Sequence, residues 1–326
     1  MLSLHANEIK KEADLRIATT PGNHKKLIAI YSAVALGAGL LCQIIDFIPN
    51  LMMENTGGLS GLGTRAILGT VNSLFPLAVN LLLPLWMLGL VSTALRLCRQ
   101  ERVDANHLKA GFARWGVLLR LSLLQGLLLF GVAYLTMQVS TILFSVTNLS
   151  YSAMEFLSPY AADLSLLETA MEDPAFMADL LKTMAPMLIL WVVLLLALMI
   201  PLVYSLRLSY YRIVDIERPG ALRAMGESRK MMKGNKWQLF KLDLSFWWYY
   251  LLQIRLALVL EVPVFLADSL ISFDLAMLIA AALQALGSFY LQYRCLLKME
   301  VSYALFYDTL YEAHKAPPVQ PNYWQQ

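Results

Sequence analysis

The sequence predicts an all-α, polytopic membrane fold: six transmembrane helices arranged as three tandem hairpins, with inner-leaflet amphipathic helices and both termini on the inner side. Three observations predict it. Hydrophobic residues make up 58% of the 326-residue chain and charged ones only 15%, with a mean hydropathy of +0.57. A soluble domain carries about 25% charged residues, so this chain has too few to cover a water-facing surface of its size. Apolar runs recur at the length a bilayer core demands, about 20 residues for a helix. Lysine and arginine, finally, are confined to alternate connections between those runs.

The elements follow in order. The first 26 residues are polar, and the first apolar run is too long for the h-region of a cleavable signal. Spans are expected at 27–48, 73–95, 121–143, 185–206, 242–266 and 275–293, the last interrupted by Gln284, Tyr290, Gln292 and Tyr293. Residues 1–313 read as a single membrane domain and 314–326 as a flexible C-terminal tail.

Charge fixes the orientation. Five cations precede the first span, six lie in 96–120, nine in 207–241 and three follow from Arg294. The opposite side holds only Arg65 and Lys182, and Arg255 lies within a span. The positive-inside rule then puts both ends in the cytoplasm. The outer segment 147–184 is acidic, with Glu155, Asp163, Glu168, Glu172, Asp173 and Asp179 against one lysine. Asp173-Pro174 reads as a helix start followed by Phe176, Leu180 and Leu181, making either a small helical lobe or a solvated loop.

A phrase recurs on the inner side. Gly22-Asn23-His24-Lys25-Lys26-Leu27, Gly111-Phe112-Ala113-Arg114-Trp115 and Gly234-Asn235-Lys236-Trp237 precede the first, third and fifth spans. Short amphipathic segments at 6–18, 103–110 and 219–233 come before them. In the third, Pro219 suits a helix start and Gly234 a stop. Leu222, Met225 and Met232 lean to one side and Arg223, Arg229 and Lys230 to the other. Such a helix suits the headgroup layer, its cations facing anionic inner-leaflet lipid. The interfacial, lipid-facing residues expected from this pattern are Arg114, Trp115, Lys233, Lys236, Trp237 and Lys241. Three tandem units are the simplest account.

The phrases Met231-Met232-Lys233-Gly234-Asn235-Lys236-Trp237, Phe240-Lys241-Leu242-Asp243-Leu244-Ser245-Phe246 and Ala304-Leu305-Phe306-Tyr307-Asp308-Thr309-Leu310, with Ser228, resemble the signature of an uncharacterised family of bacterial multi-span membrane proteins, a domain of unknown function. The arrangement is also similar to the membrane domain of some glycerophosphodiester phosphodiesterases. The resemblance implies a bacterial plasma membrane, and it brings no catalytic residues with it.

Candidate binding residues are few. Arg255 falls near mid-span, where an arginine costs at least about 2.5–3.5 kcal/mol. It either binds an anionic headgroup or solute, or pairs with a buried acid. Glu261 lies six residues on, about 240° around the helix and so on another face. It precedes Pro263, where freed backbone groups and a carboxylate together could make a polar site. Asn80, between Pro76 and Pro84, and Gln284 complete the set. Intramembrane amides of this kind more often join helices than bind ligands.

No cofactor or metal is expected. His5, His24, His107 and His314 lack ligand spacing, and Cys42, Cys98 and Cys295 are too scattered for a metal or disulfide framework. Gly57–Gly63 lacks the lysine-serine/threonine end of a phosphate loop, and no serine sits in a nucleophile elbow. The cations of 207–241 flank spans and interleave with methionines, which argues against nucleic acid. The expected partners are membrane lipids and a protein partner or second copy. The expected role is a non-catalytic membrane-organising or partner-supporting protein; the alternative is a transporter or lipid-handling protein with a polar site near Arg255 and Glu261.

Overall fold

The computed structural model describes residues 5–55, 61–160, 170, 173–216, 220–258 and 273–315. It is all-α: α1 Ala6–Thr19, α2 His24–Asn55, α3 Gly61–Cys98, a 3₁₀ segment Ala105–Arg114, α4 Trp115–Ser145, α5 Asn148–Leu157, a 3₁₀ turn Ser158–Tyr160, α6 Pro174–Leu206, α7 Ser209–Asp215, α8 Ala221–Met231, α9 Lys236–Leu244, α10 Trp247–Leu258 and α11 Phe273–Lys315. One isolated bridge joins Gly22 to Val103.

Among the described residues three helices are long and apolar enough to cross a membrane: His24–Cys42, Ala105–Ser145 and Ala175–Asp215, with a shorter apolar stretch at Leu82–Cys98. The fifth expected span differs. It breaks between α9 and α10 at Ser245-Phe246, where Ser245 Oγ donates to the Leu242 carbonyl and Phe246 N–H to Asp243. The sixth is longer than its apolar run. α11 continues through the polar residues to Lys315, because that part of the helix packs on α1, α2, α3 and α8.

Short helices occupy all three positions expected before the spans, but protein covers much of their apolar sides. Ile9 and Ala13 of α1 are buried, as are Leu108 in the 3₁₀ segment and Ala224, Ser228 and Met231 of α8. The apolar side expected for the third is divided: Leu222 is exposed, while Met232 is fully buried at the helix end. Gly234 does adopt a left-handed φ of +84°, the conformation that lets the chain turn out of α8 without a Cβ penalty. Pro219 lies outside the described residues.

The chain divides into two compact units, residues 1–122 with 207–326, and residues 123–206. In the first, α3 and the 3₁₀ segment meet backbone to backbone. A Cβ on Gly89 would stand 1.9 Å from the Leu108 carbonyl oxygen, and one on Gly111 would stand 1.8 Å from that of Leu85. Only glycine permits that approach. Tyr31 of α2 stacks on Trp86 of α3, whose indole N–H donates to the Tyr31 carbonyl.

In the second unit, Asp173 opens α6 as its sequence predicts: its carboxylate accepts from the Ala175 N–H at 2.9 Å and its carbonyl from Met177. The helix then runs unbroken past Pro186 and Pro201, so the end of the expected outer segment, from Pro174, and the fourth span are one element. Phe156 of α5 stacks on Phe176 of α6 with ring centroids 5.2 Å apart. Many apolar side chains along α4 and α6 are exposed, Leu127 by 70% and Ile189 by 63%.

Candidate functional site

The polar chemistry of the first unit gathers where α3 ends, α7 and α8 lie, and α11 runs through its polar half. On α11 the residues Glu300, Tyr303, Tyr307 and Tyr311 recur at spacings of three and four, which places them on one face of the helix. Asp308 stands beside them, and α7 brings Tyr211, Arg212 and Asp215.

Two connected clusters result. In one, Arg212 donates to Glu227 of α8, with Nε to Oε2 at 2.7 Å, and to the Tyr307 hydroxyl at 3.1 Å. Tyr307 in turn donates to Asp215 at 2.9 Å. Arg99, just past the end of α3, joins Asp215 at 2.9 Å and grips both carboxylate oxygens of Asp308 at 2.8 and 3.2 Å. Such two-pronged guanidinium–carboxylate pairs are both directional and strong. The Cys98 thiol lies 3.4 Å from Asp308, and Arg16 of α1 donates to the Cys98 carbonyl.

In the second cluster, Tyr211 donates to the buried Glu300 at 2.9 Å and Arg207 stands 3.8 Å from it. Tyr303 donates to Asp243 of α9 and meets the Tyr250 hydroxyl at 3.3 Å. The Arg207 guanidinium lies over the Tyr303 ring, and Tyr211 stacks on Tyr307 across the two clusters.

Burial alone would raise the Glu227 carboxyl, but hydrogen bonds from Arg223 and Arg212 outweigh it and hold Glu227 below the usual carboxylate range. Burial pushes the Tyr307 hydroxyl up, against the opposing bond from Arg212 and with help from the charge of Asp215. It therefore stays protonated and serves as Asp215's donor. Arg212 and Tyr307 are 9% and 0% exposed; groups this buried must be mutually satisfied to be tolerated. A charged hollow of about 550 Å³ opens beside the first cluster, lined in part by Arg16, Arg99, Asp308, Tyr311 and Lys315.

The residues singled out in the sequence fall elsewhere. Arg114 spends its guanidinium on the carbonyls of Ile213, Val214 and Ile216, capping the C-terminal end of α7 rather than facing outward. Trp115 and Trp237 are exposed, as are Lys233 and Lys241, while Lys236 is half-buried. Lys241 Nζ lies over the Trp237 ring, 5.8 Å from its centroid. Gln284 lines a hollow of about 190 Å³ with Leu36, Gly39, Leu40, Ala281 and Ser288, between α2 and α11. Arg255 is exposed on α10 and has no ion pair among the described residues. Glu261 and the side chain of Asn80 lie outside the described residues.

The sequence reading therefore missed the clusters themselves. Two signals were present: the three-and-four spacing of Glu300, Tyr303, Tyr307 and Tyr311 on α11, and the presence of Tyr307 and Asp308 inside a recognisable phrase. A family model for proteins of unknown function, DUF975, matches residues 8–314. The chain belongs to the DUF975 family. That match takes in both clusters and every candidate residue named above. No curated protein and no solved structure matches the chain, and the expected likeness to the membrane domain of glycerophosphodiester phosphodiesterases is without support.

Proposed function

We propose that this DUF975 protein is a non-catalytic, multi-pass protein of the bacterial plasma membrane that organises the bilayer or supports a partner. It crosses six times as three hairpins with both ends in the cytoplasm. The observation that carries the reading is the uncovered apolar surface of α4 and α6, whose most hydrophobic stretches are almost entirely unburied by protein. In water, that much contiguous apolar surface is untenable; in acyl chains it costs nothing. The inner clusters fit a holding role, since their carboxylates, arginines and tyrosines are spent on one another.

Replacing Lys233, Lys236 and Lys241 together by glutamine tests the role. The variant should remain in the membrane at normal level and reproduce the phenotype of deleting the gene. Full complementation by the variant would sink the reading. A second reading, a transporter or lipid-handling protein with a polar path near Arg255 and Glu261, draws on the exposure of Arg255 without an ion pair among the described residues. It requires water to reach position 255.

A further inference from the structure

The outward surface of α9 and α10 combines cations, indoles and aliphatic side chains in a way neither cluster uses. Trp237, Lys241 and Leu244 of α9 and Trp248, Leu251, Leu252, Arg255 and Leu258 of α10 are all exposed. Within α10, Trp248 and Arg255 stand seven residues apart, close to two helical turns and so on one face. Arg255 lies about 12 Å along the axis from Trp247, at 1.5 Å per residue. Helical side chains lean toward their own N-terminus, and Lys241 does so here, reaching back over the Trp237 ring. The same lean carries the Arg255 guanidinium toward the Trp248 end of α10, the end the charge distribution assigns to the inner leaflet.

We infer that Arg255, with Trp248, binds an anionic phospholipid of the inner leaflet. Its phosphate is drawn to the guanidinium and its acyl chains lie along Leu251, Leu252 and Leu258. This rests on the membrane reading above and names the ligand class for that surface. A guanidinium in hydrocarbon needs a compensating anion, and among the described residues Arg255 has no ion pair. Indole rings at the ends of apolar stretches sit at headgroup level, so Trp237 and Trp248 bracket the height at which a phosphate resides. Arginine is suited to a phosphate because its planar fork donates two parallel hydrogen bonds.

The test uses the full chain in phosphatidylcholine nanodiscs, with the thermal unfolding midpoint read as phosphatidylglycerol replaces part of the phosphatidylcholine. Phosphatidylglycerol should raise the midpoint of the unaltered protein by at least about 2 °C, and soluble glycerol phosphate should not raise it. Arg255→Gln, unfolding at the unaltered midpoint in phosphatidylcholine, should lose most of that rise. If Arg255→Gln does not fold, Trp248→Leu takes its place and should show a reduced rise. A full rise in the variant measured overturns the proposal, as does an equal rise from glycerol phosphate. So does a rise accompanied by a doubling of particle protein mass that Arg255→Gln abolishes, since the occupant is then a second copy. Release of the unaltered protein from membranes by an alkaline wash would instead defeat the membrane reading on which this one stands.

Discussion

The polar clusters around α7, α8 and α11 and the long helices α4 and α6 solve opposite problems of solvation. In the clusters, Arg212, Tyr307, Glu300 and Tyr303 are buried, and their polar groups are met by named partners at hydrogen-bond distance. Along α4 and α6 most of the exposed side chains are apolar, Leu127, Leu135, Ile189 and Val193 among them. Specificity in the first region is written in bonds between particular atoms, so one substitution strands a partner. In the second it is written in composition, so only a change of character matters.

The sharpest way to break this comparison is Arg212→Ala. It leaves Glu227 and Asp215 without a shared cation and Tyr307 without a donor, and breaking a buried pair costs about 3–5 kcal/mol. Thermal unfolding in detergent should show a large loss; a loss within experimental error would mean that the cluster is not holding α7 to α8 and α11. In the apolar region, Leu196→Arg on α6 should cost about 2.5–3.5 kcal/mol of insertion free energy, whereas Leu196→Val should cost almost nothing. A glycosylation-site insertion assay reads both, and equal values for the two would remove the contrast.

A smaller effect concerns acid. Glu227 titrates lower in the folded chain than in the unfolded one, so its contribution to stability is fully present above the unfolded carboxylate range, near pH 4.3. It is lost as pH falls through the lower folded value. Glu227→Gln should flatten the fall in unfolding midpoint between about pH 5 and pH 3, and an unchanged slope would show that the acid sensitivity resides elsewhere. Smallest of all is Asp14→Asn. The Lys298–Asp14 pair is short at 2.6 Å but solvent-exposed, with side chains 32% and 56% accessible. Pairs of that kind contribute about 0–1 kcal/mol. A midpoint shift as large as that of Arg212→Ala would mean that α1 is a far more important clasp than its exposure implies.

The legibility of the two regions in sequence differs for the same reason. Apolar runs announce helices by composition, and each of the six expected spans coincides at least in part with a described helix. Local backbone chemistry was readable too: Asp173-Pro174 opens a helix and Gly234 takes a left-handed φ. The clusters were not readable, because Arg212, Asp215, Glu227 and Asp308 come from three elements and Arg99 from a fourth. In sequence their cations belong to the charge excess between spans, where Arg99, Arg207 and Arg212 look like any other lysine or arginine. Arg114 misled for the same reason: next to Trp115 it reads as an interfacial anchor, and only the position of α7 reveals the carbonyls it caps. The length of α11 was hidden because its polar half is helical through packing against neighbours rather than through its own hydropathy.

Which faces meet lipid and which meet water is measured directly by single-cysteine labelling. In a background carrying Cys98→Ser, which keeps a donor to Asp308, with Cys42 and Cys295 replaced by alanine, one cysteine is placed at Lys182, Lys236 or Arg255. A charged, membrane-impermeant thiol reagent is then added from each side in turn. Position 236 should label only from the inside, position 182 only from the outside, and position 255 from neither. Labelling of 236 from the outside would contradict the orientation. Labelling of 255 would put water at mid-membrane, displacing both the scaffold reading and the lipid assignment in favour of a polar path.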